Sequence, residues 1–455
     1  MCAGMFLVLL DVTVVNVALP SIGTGLGAGA AAVQWVVDAY AVSIAGLLLA
    51  GGTLGDRAGH RRVVLAGLAV FGAASAACGL APSAGVLIGA RAAQGLGAAL
   101  LLPGTLAVIT DAFPEGPPRA RALGIWAGVS SLALPAGPLL GGLLVDSAGW
   151  RWVFLVDVPV VVLALVAVPL LVRPGSRAVG RRGDLPGTVL AALTLASTVF
   201  AVIDAGHHGL RAVSWAAIAL ALAGGAAFLL REHRADAPVV PLDLLRRPAF
   251  AGPNVAAGSM NLVLNGSLFV VTLYLQDVRR YSPLEAGLAL LPLFLPLALL
   301  SPVAGRWTAR SGPRAPLVTG ALVAMAGAAG FALLGPGSGY PVLLPVLVGL
   351  GVGAGLFTAP VVTAAVSAAP PDRSGLASGV VNTARQAGTA LGVAVSGAVA
   401  PATAPPAEFV RGLHALAVVG VVVWLGAAAV VAVTTGAAPG RSQPRNTFRR
   451  CESSR

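Results

Sequence analysis

Long apolar stretches follow one another along the chain, separated by short breaks that hold arginine, proline, glycine or aspartate. An α-helix needs about 20 apolar residues to cross a bilayer, whereas a barrel strand needs about half as many and alternates apolar and polar positions. Backbone groups in lipid must pair within the segment, so runs of this length predict helices. The fourteen predicted spans cover 2–22, 32–54, 62–80, 84–110, 121–145, 152–172, 186–204, 213–230, 252–276, 286–305, 316–335, 341–366, 375–400 and 411–435.

The composition excludes a soluble enzyme and a disordered chain. Of 455 residues, 57% are hydrophobic and 10% are charged, whereas soluble domains carry about 25% charged residues. Disorder requires low hydrophobicity and high charge. An all-α polytopic membrane protein remains, and we expect no enzymatic activity.

The sequence contains no motif that predicts cofactor or metal binding. The chain has no lysine, so it lacks the phosphate-binding lysine of an ATPase motif. The three cysteines, Cys2, Cys78 and Cys451, are isolated and form no metal-binding pair. We therefore predict no cofactor and no metal site, and transport driven by an ion gradient rather than by ATP.

Arginine placement predicts the orientation in the membrane. Of the 29 basic residues, all arginine, 22 lie in the loops after even-numbered spans or in the C-terminal tail, and five lie in the opposite loops. By the positive-inside rule the arginine-rich side is cytoplasmic. We therefore expect a multi-pass protein of the cytoplasmic (inner) membrane with both termini inside. The net charge of +12 follows from this topology and indicates no nucleic-acid partner.

Met1 lies almost inside the first span, with no basic residue before it. Either the true start is upstream, which we favour, or the chain tolerates a very short inner tail.

The spans divide into two six-helix halves, 1–172 and 250–435. Residues 173–249 form a linker with two extra spans, and residues 436–455 form a polar tail that is predicted to be disordered. A weak internal sequence repeat supports the division, because segment 52–62 after span 2 is similar to segment 305–314 after span 10. Repeated halves around a midplane site are typical of transporters.

Two charged residues inside the spans are the main candidates for chemistry. Asp11 lies about a third of the way into span 1, where a carboxylate indicates function and can take up and release a proton. The alternative is a misplaced span end that leaves Asp11 in water. Arg91 in span 4 cannot readily lose its charge, so it needs an acceptor, either Asp11 or backbone carbonyls. Gln94 follows on the same helix face.

Further polar residues inside spans favour a cavity lining. Asn261 and Asn265 are four residues apart in span 9, and Asn382, Arg385 and Gln386 share one face of span 13. Interhelical hydrogen bonding is the alternative explanation. The candidate cavity residues are Asn16, Gln34, Gln94, Asn261, Asn265, Asn382, Arg385 and Gln386.

Two glycine-containing segments stand out. Segment 52–62 is predicted to be a tight cytoplasmic loop, in which glycines permit a sharp turn and arginines bridge helices or bind anionic lipid. The alternative is an ordinary positively charged inner loop. Span 5 carries glycines for close helix packing and a proline that can kink it. The candidates are Gly52, Gly55, Asp56, Arg57, Gly59, Arg61 and Arg62 in the loop, and Gly137, Pro138, Gly141 and Gly142 in span 5.

These segments together resemble the motifs of the major facilitator superfamily, specifically its fourteen-span bacterial drug:proton antiporters. His60 stands where a basic arginine or lysine is usual, and Asp157 stands where an asparagine is more usual. The resemblance extends over nearly the whole chain. It is carried by 10–20, 52–62, 87–99, 137–142, 149–154, 281–287 and 374–379.

The resemblance implies the superfamily fold with fourteen helices, and export of drugs or antibiotics by alternating access in exchange for protons. Asp11 and Arg91 would form the proton-coupling site, and Asp56 and Arg57 would latch the cytoplasmic side. The span-5 glycines and Pro138 would shape the outward gate. We expect a monomer in the lipid bilayer, with a small-molecule drug or antibiotic and protons as its partners.

The position of the acidic residues bears on the substrate. Relatives that export dicationic compounds tend to carry extra acids inside second-half spans. Here those acids fall at span ends or in loops, so we expect a neutral or weakly charged substrate. They are Asp277, Glu285, Asp372 and Glu408. The alternative function is a proton-coupled metabolite transporter on the same fold.

Overall fold

The computed structural model describes residues 1–113, 117–172, 184–235, 242–370, 374–401 and 404–435. Helices make up almost all of this part of the chain, and it contains no strand. The first half holds α1 (Cys2–Leu26), α2 (Ala30–Ala58), α3 (His60–Gly79), α4 (Ala84–Ala112), α5 (Pro117–Ala148), α6 (Trp152–Leu155) and α7 (Asp157–Leu171).

Three helices follow before the second half begins: α8 (Leu185–His208), α9 (Ala212–Arg234) and the short α10 (Leu242–Leu245). The second half holds α11 (Pro248–Leu273), which continues as a π-helical turn (Tyr274–Val278), α12 (Pro283–Ala289), α13 (Leu291–Ser311), α14 (Arg314–Ala329) with a 3-10 turn (Gly330–Leu333), α15 (Tyr340–Ser367), α16 (Ser374–Val399) and α17 (Pro406–Thr434).

Twelve helical segments among the described residues are long and apolar enough to cross a membrane. Four of them combine neighbouring elements, such as Trp152–Leu171 and Pro248–Val278. The predicted spans outside this set are α5, which contributes a shorter apolar stretch at Leu132–Ala148, and α16. The part of the chain that the structure describes therefore supports twelve spans, against the fourteen that the sequence predicts.

The predicted loop at 52–62 is wrong, because α2 continues to Ala58 and α3 begins at His60. Gly59 alone separates them, with a φ of 92° that favours glycine. Its backbone N–H donates to the carbonyl oxygen of Gly55 at 2.9 Å, which closes the last turn of α2. One glycine is thus enough to reverse the chain, and Gly55 lies within a helix rather than in a turn.

The two halves meet mainly through α2 with α16 and through α5 with α12 and α13. Among the described residues, three hydrogen bonds join them: the Gln276 side chain to the Val17 carbonyl (2.8 Å), the Leu284 backbone N–H to the Asp146 carboxylate (3.1 Å), and the Gln34 side chain to the Val393 carbonyl (3.4 Å). These bonds lie in the part of the bundle nearer to Gly27, the residue that ends α1. We call this side the Gly27 end, and the halves are in contact there.

Glycines bring the backbones of the two halves together at the Gly27 end. A Cβ atom on Gly142 of α5 would lie 2.6 Å from the Cα atom of Leu284, the second residue of α12. A Cβ atom on Gly287 would lie 2.1 Å from the carbonyl oxygen of Pro138. Any larger residue would push the backbones apart, so this contact depends on glycine on both sides.

Helix α8 packs against both halves. A Cβ atom on Gly46 of α2 would lie 2.5 Å from the Cβ of Ala192, and one on Gly206 would lie 2.2 Å from the Cβ of Ala398 in α16. Near the Gly27 end, the His207 ring lies 2.9 Å from the Gln34 side chain. The predicted linker (173–249) and tail (436–455) extend outside the described residues at 173–183, 236–241 and throughout the tail.

Candidate functional site

Asp11 and Arg91 form an ion pair inside the first half. The Nη1 atom of Arg91 donates to the Asp11 carboxylate at 2.5 Å, and each residue is only 1% exposed. The alternative in which Asp11 lies in water is therefore wrong. Arg91 Nε also donates to the Val36 carbonyl at 2.9 Å, and its guanidinium lies 4.2 Å from the centroid of the Tyr40 ring. Both kinds of acceptor that the sequence predicts for Arg91 are present.

Gln94 extends this pair into a network. Its side-chain oxygen accepts from Arg91 at 2.7 Å, and its nitrogen donates to Asp11 at 3.1 Å and to the Ser75 hydroxyl at 2.9 Å. Ser75 in turn donates to Asp157 at 3.3 Å. Four helices, α1, α3, α4 and α7, thus supply one continuous set of buried polar contacts, which we call the Asp11 network (Asp11, Ser75, Arg91, Gln94 and Asp157).

The hydrogen bonds of Arg91 do not all depend on Asp11. A buried ion pair is stable only when its geometry is good and its remaining hydrogen-bonding groups are satisfied. Arg91 meets this condition, because it contacts Gln94 and the Val36 carbonyl as well as Asp11. If Asp11 binds a proton, Arg91 therefore keeps two neutral acceptors. The Asp11–Arg91 pair can therefore separate while the guanidinium keeps hydrogen bonds to Gln94 and to the Val36 carbonyl.

A small central cavity of about 10 Å³, with room for roughly one water molecule, lies beside this network between the two halves. Of the residues predicted from sequence, Asn16, Asn265, Gln386 and Arg91 line it. Asn265 also donates to Thr389 at 3.1 Å, which joins α11 to α16, so the interhelical alternative applies to it as well. The other lining residues are Val12, Val15, Val37, Tyr40, Ala41, Thr389 and Val393.

Five of the predicted cavity residues lie elsewhere. Gln94 belongs to the Asp11 network, and Gln34 lies where α2, α8 and α16 meet. Asn261 and Asn382 donate to the carbonyls of Ala257 and Ser378, four residues earlier in their own helices. Arg385 is half-buried, and its buried Nε has no partner among the described residues.

The residues of the first glycine segment surround the α2–α3 junction. Arg61 donates to the carbonyl oxygen of Pro169 in α7 at 2.9 Å, so it bridges two helices as predicted. Arg57 and Arg62 are exposed, and Gly52 lies within α2 beside Pro103 of α4. The side chain of Asp56 lies outside what the structure describes.

The glycines of α5 contact two different partners. A Cβ atom on Gly137 or Gly141 would meet Thr13 or the carbonyl oxygen of Val14, so these two residues pack against α1. Gly142 packs against α12 of the other half. Pro138 lies within an unbroken helix, and its carbonyl oxygen faces Gly287. The motif therefore connects the helix that carries Asp11 with the contact between the halves.

Two members of the site, Ser75 and Thr389, are not predicted from the sequence. Each is a single hydroxyl in a helix of small residues, and serine or threonine in such a helix commonly bonds to its own backbone. For Asp157 the sequence indicates a departure from the usual asparagine and a position near the outer, interfacial end of span 6. Ser75 and Cys78 lie three residues apart on one face of α3, and that spacing would have indicated a polar face in span 3.

The chain matches known proteins along most of its length. The family model of the Major Facilitator Superfamily matches residues 1–393. Multidrug resistance protein Stp of Mycobacterium tuberculosis is 38% identical over 71% of this chain. The tetracenomycin C resistance and export protein of Streptomyces glaucescens is 39% identical over 74% of it, and the cephamycin export protein CmcT of Amycolatopsis lactamdurans is 43% identical over 67% of it. The chain spans only 60% of Stp and 63% of the other two.

Solved structures agree on the fold. A bacterial homolog of the human lysosomal transporter Spinster aligns with a TM-score of 0.65 at 18% identity, covering 95% of both chains. A POT peptide transporter in complex with alafosfalin aligns with a TM-score of 0.69 at 16% identity, covering 95% of this chain and 94% of that one. At these identities the likeness concerns the fold alone. From the family match and the identities to its relatives, the chain belongs to the major facilitator superfamily.

Proposed function

We propose that the protein exports drugs or antibiotics across the cytoplasmic membrane by alternating access, in exchange for protons. The observation that carries the proposal is the buried Asp11–Arg91 pair beside a cavity that both halves line. The names of the relatives support export, since they are resistance or export proteins for multiple drugs, tetracenomycin C and cephamycin. Neither a proton-transferring carboxyl nor a transport cavity needs a cofactor.

The proposed topology has fourteen spans, with α5 and α16 as the two beyond the twelve apolar segments. Both termini are cytoplasmic, so the Gly27 end is extracellular. Residues 1–172 and 250–435 are the moving halves, and residues 173–249 join them. We propose that the protein works as a monomer, because each chain contains both halves.

In this topology the hydrogen bonds between the halves lie on the outer side, beside a cleft that both halves line. We propose that the structure corresponds to an inward-facing or occluded state. Protonation of Asp11 weakens its bond to Arg91, and α1 transmits the change to α5 through Gly137 and Gly141. The contact of Gly142 with α12 then acts as the outer gate. Asp56 and Arg57 form the cytoplasmic latch when the inner side closes.

The proposed substrate is neutral or weakly charged. Asp277, Glu285 and Glu408 lie at helix ends rather than at the central cavity, and Asp372 lies outside the described residues. The cavity offers amide and hydroxyl groups from Asn16 and Thr389, and its described cation, Arg91, is already paired. A proton-coupled metabolite transporter is the alternative on the same fold.

A susceptibility panel in a pump-deficient bacterium tests the function. The panel contains puromycin, tetracenomycin C, a cephamycin, methylenomycin A and a divalent quaternary ammonium compound. We expect protection against at least one antibiotic, and loss of that protection when the proton gradient is collapsed. Protection only against the divalent compound would contradict the proposed substrate class. No protection by verified membrane-inserted protein would contradict export of these drugs and turn attention to metabolite uptake.

Replacing Arg91 by lysine tests whether the positive charge alone is enough or whether the hydrogen bonds of the guanidinium are also needed. Lysine keeps the cation but cannot donate at once to Asp11, Gln94 and the Val36 carbonyl. Each buried acceptor left unpaired costs about 1–3 kcal/mol. We expect Arg91→Lys to lower the thermal unfolding temperature of the purified protein and to abolish export. Wild-type stability and export in the variant would show that charge alone suffices.

A further inference from the structure

Asp157 at the start of α7 is a second carboxyl in the Asp11 network. It is only 2% exposed, and among the described residues its one hydrogen-bond partner is the Ser75 hydroxyl, at 3.3 Å. The role proposed above for Asp11 and Arg91 makes no use of it. A carboxyl buried inside a membrane span is costly, and it is a candidate functional group by default.

The donors of the network point from Arg91 and Gln94 toward both carboxyls. The two amide hydrogens of Gln94 go to Asp11 and Ser75, and the single hydroxyl hydrogen of Ser75 goes to Asp157. Any change in the hydrogen bonding of Asp11 must therefore reorient Gln94 and Ser75. That reorientation changes what Asp157 can accept, so the two carboxyls are linked through two neutral side chains.

The charges around Asp157 do not balance if both carboxyls are ionised. The charged groups that act on it are Asp11 from α1 and Arg91 from α4, and Asp157 in turn acts on Tyr40 of α2 and Cys78 of α3. Arg91 is the only cation among these groups. Arg91 bonds to Asp11 and not to Asp157. Two carboxylates would leave a net negative charge in the membrane interior, which is strongly unfavourable. One of the two carboxyls therefore holds a proton in this state.

We propose that Asp157 is a second proton-carrying carboxyl of this protein, and that Asp11 and Asp157 titrate as one coupled pair through Gln94 and Ser75. The transport role of the pair rests on the proposed function: each cycle could then carry a second proton, taken from water on one side and returned to water on the other. Gln94 does not pass the proton itself, because an amide N–H is not released. It passes the change in hydrogen bonding and charge.

Infrared titration of the purified full-length protein in lipid tests the pair without any drug. Protonated carboxyls give a C=O stretching band, and the Asp11 band is assigned as the one that Asp11→Asn removes. We expect Asp157→Asn to remove a second band. We also expect it to move the midpoint of the Asp11 band to lower pH by about one unit, the size at which two sites count as coupled. Loss of no band, or an unmoved Asp11 midpoint, would overturn the proposal.

Asp38 supplies the matched control. It is a fully buried carboxyl of the same half, but neither of its oxygens has a hydrogen-bond partner among the described residues. Asp38→Asn should therefore leave the midpoint of the Asp11 band unchanged. An equal shift in both variants would show a general electrostatic effect and would overturn coupling through the network.

Ser75→Ala keeps both carboxyls and cuts the link, so it covers the case in which Asp157→Asn fails to fold. We expect both bands to remain and the Asp11 midpoint to move toward its position in Asp157→Asn. A wild-type midpoint in Ser75→Ala would contradict the link. These spectra do not depend on export, so a failed susceptibility panel would remove the proposed function while leaving the coupled pair, and the reverse also holds.

Discussion

Asp11→Asn is expected to bring drug protection down to the level of cells without the protein. Asparagine keeps the shape of the side chain and can still accept from Gln94, but it cannot bind or release a proton. The proton half of the exchange would then have no carrier next to Arg91, and substrate could not be driven outward. The measurement is drug susceptibility of a pump-deficient bacterium, with the amount of protein in the membrane determined in parallel.

The control for this variant must separate lost coupling from lost folding. Removing the negative partner of a buried ion pair costs about 3–5 kcal/mol, because the other charge stays uncompensated. The double variant Asp11→Asn, Arg91→Gln has no orphan charge, so we expect it to recover the thermal stability of the wild type without recovering export. Full protection by Asp11→Asn would show that Asp11 is not the coupling residue.

Gly142→Val is expected to give the second-largest loss of export. The new side chain would meet the backbone of Leu284, which cannot move as a flexible side chain could. Overpacking of this kind costs about 1–3 kcal/mol, which shifts a two-state equilibrium by about 5–150-fold. The protein should then favour the state in which the Gly27 end is open. Export should fall because the cycle can no longer return to the closed state.

A single-cysteine assay measures this shift directly. Val33 lines a cleft at the Gly27 end together with Gly23 and Thr24. In a background without native cysteines, Val33→Cys should react faster with a membrane-impermeant maleimide when Gly142→Val is present. Gly128→Val is the matched control in the same helix, because a Cβ atom there has no neighbour within 4 Å. Equal labelling and export in the two valine variants would refute the gate.

The sequence predicts well those features that depend on one segment at a time. The length of the apolar runs is enough to place the helices, because lipid leaves the backbone no other way to satisfy its hydrogen bonds. The partners of Arg91 are predictable for a similar reason, since a permanent cation in the membrane must find an acceptor, and the sequence predicts Asp11 or backbone carbonyls in that role. Burial of both residues to 1% exposure fits that argument.

Features that depend on how helices meet were not predictable from the sequence. The glycines of 52–62 favoured a loop, but the helix accommodates Gly55 and only Gly59 needs a positive φ. The sequence predicts Gln34 in the cavity because this residue is polar and lies within a span. Its contact with His207 depends on where α8 packs, and no local pattern encodes that position. Ser75 was missed because the role of a hydroxyl depends on its neighbours.

The position of α8 between the halves sets an order in which the helices can pack together during synthesis. The contact of Gly46 with Ala192 needs only residues made before the second half, so α8 can dock on α2 while the ribosome is still translating. The contact of Gly206 with Ala398 must wait for almost two hundred further residues. Because chains fold from the N-terminus as they are made, α2 and α8 together would offer a preformed groove to α16. The helices would thus dock in the same order in which they are translated.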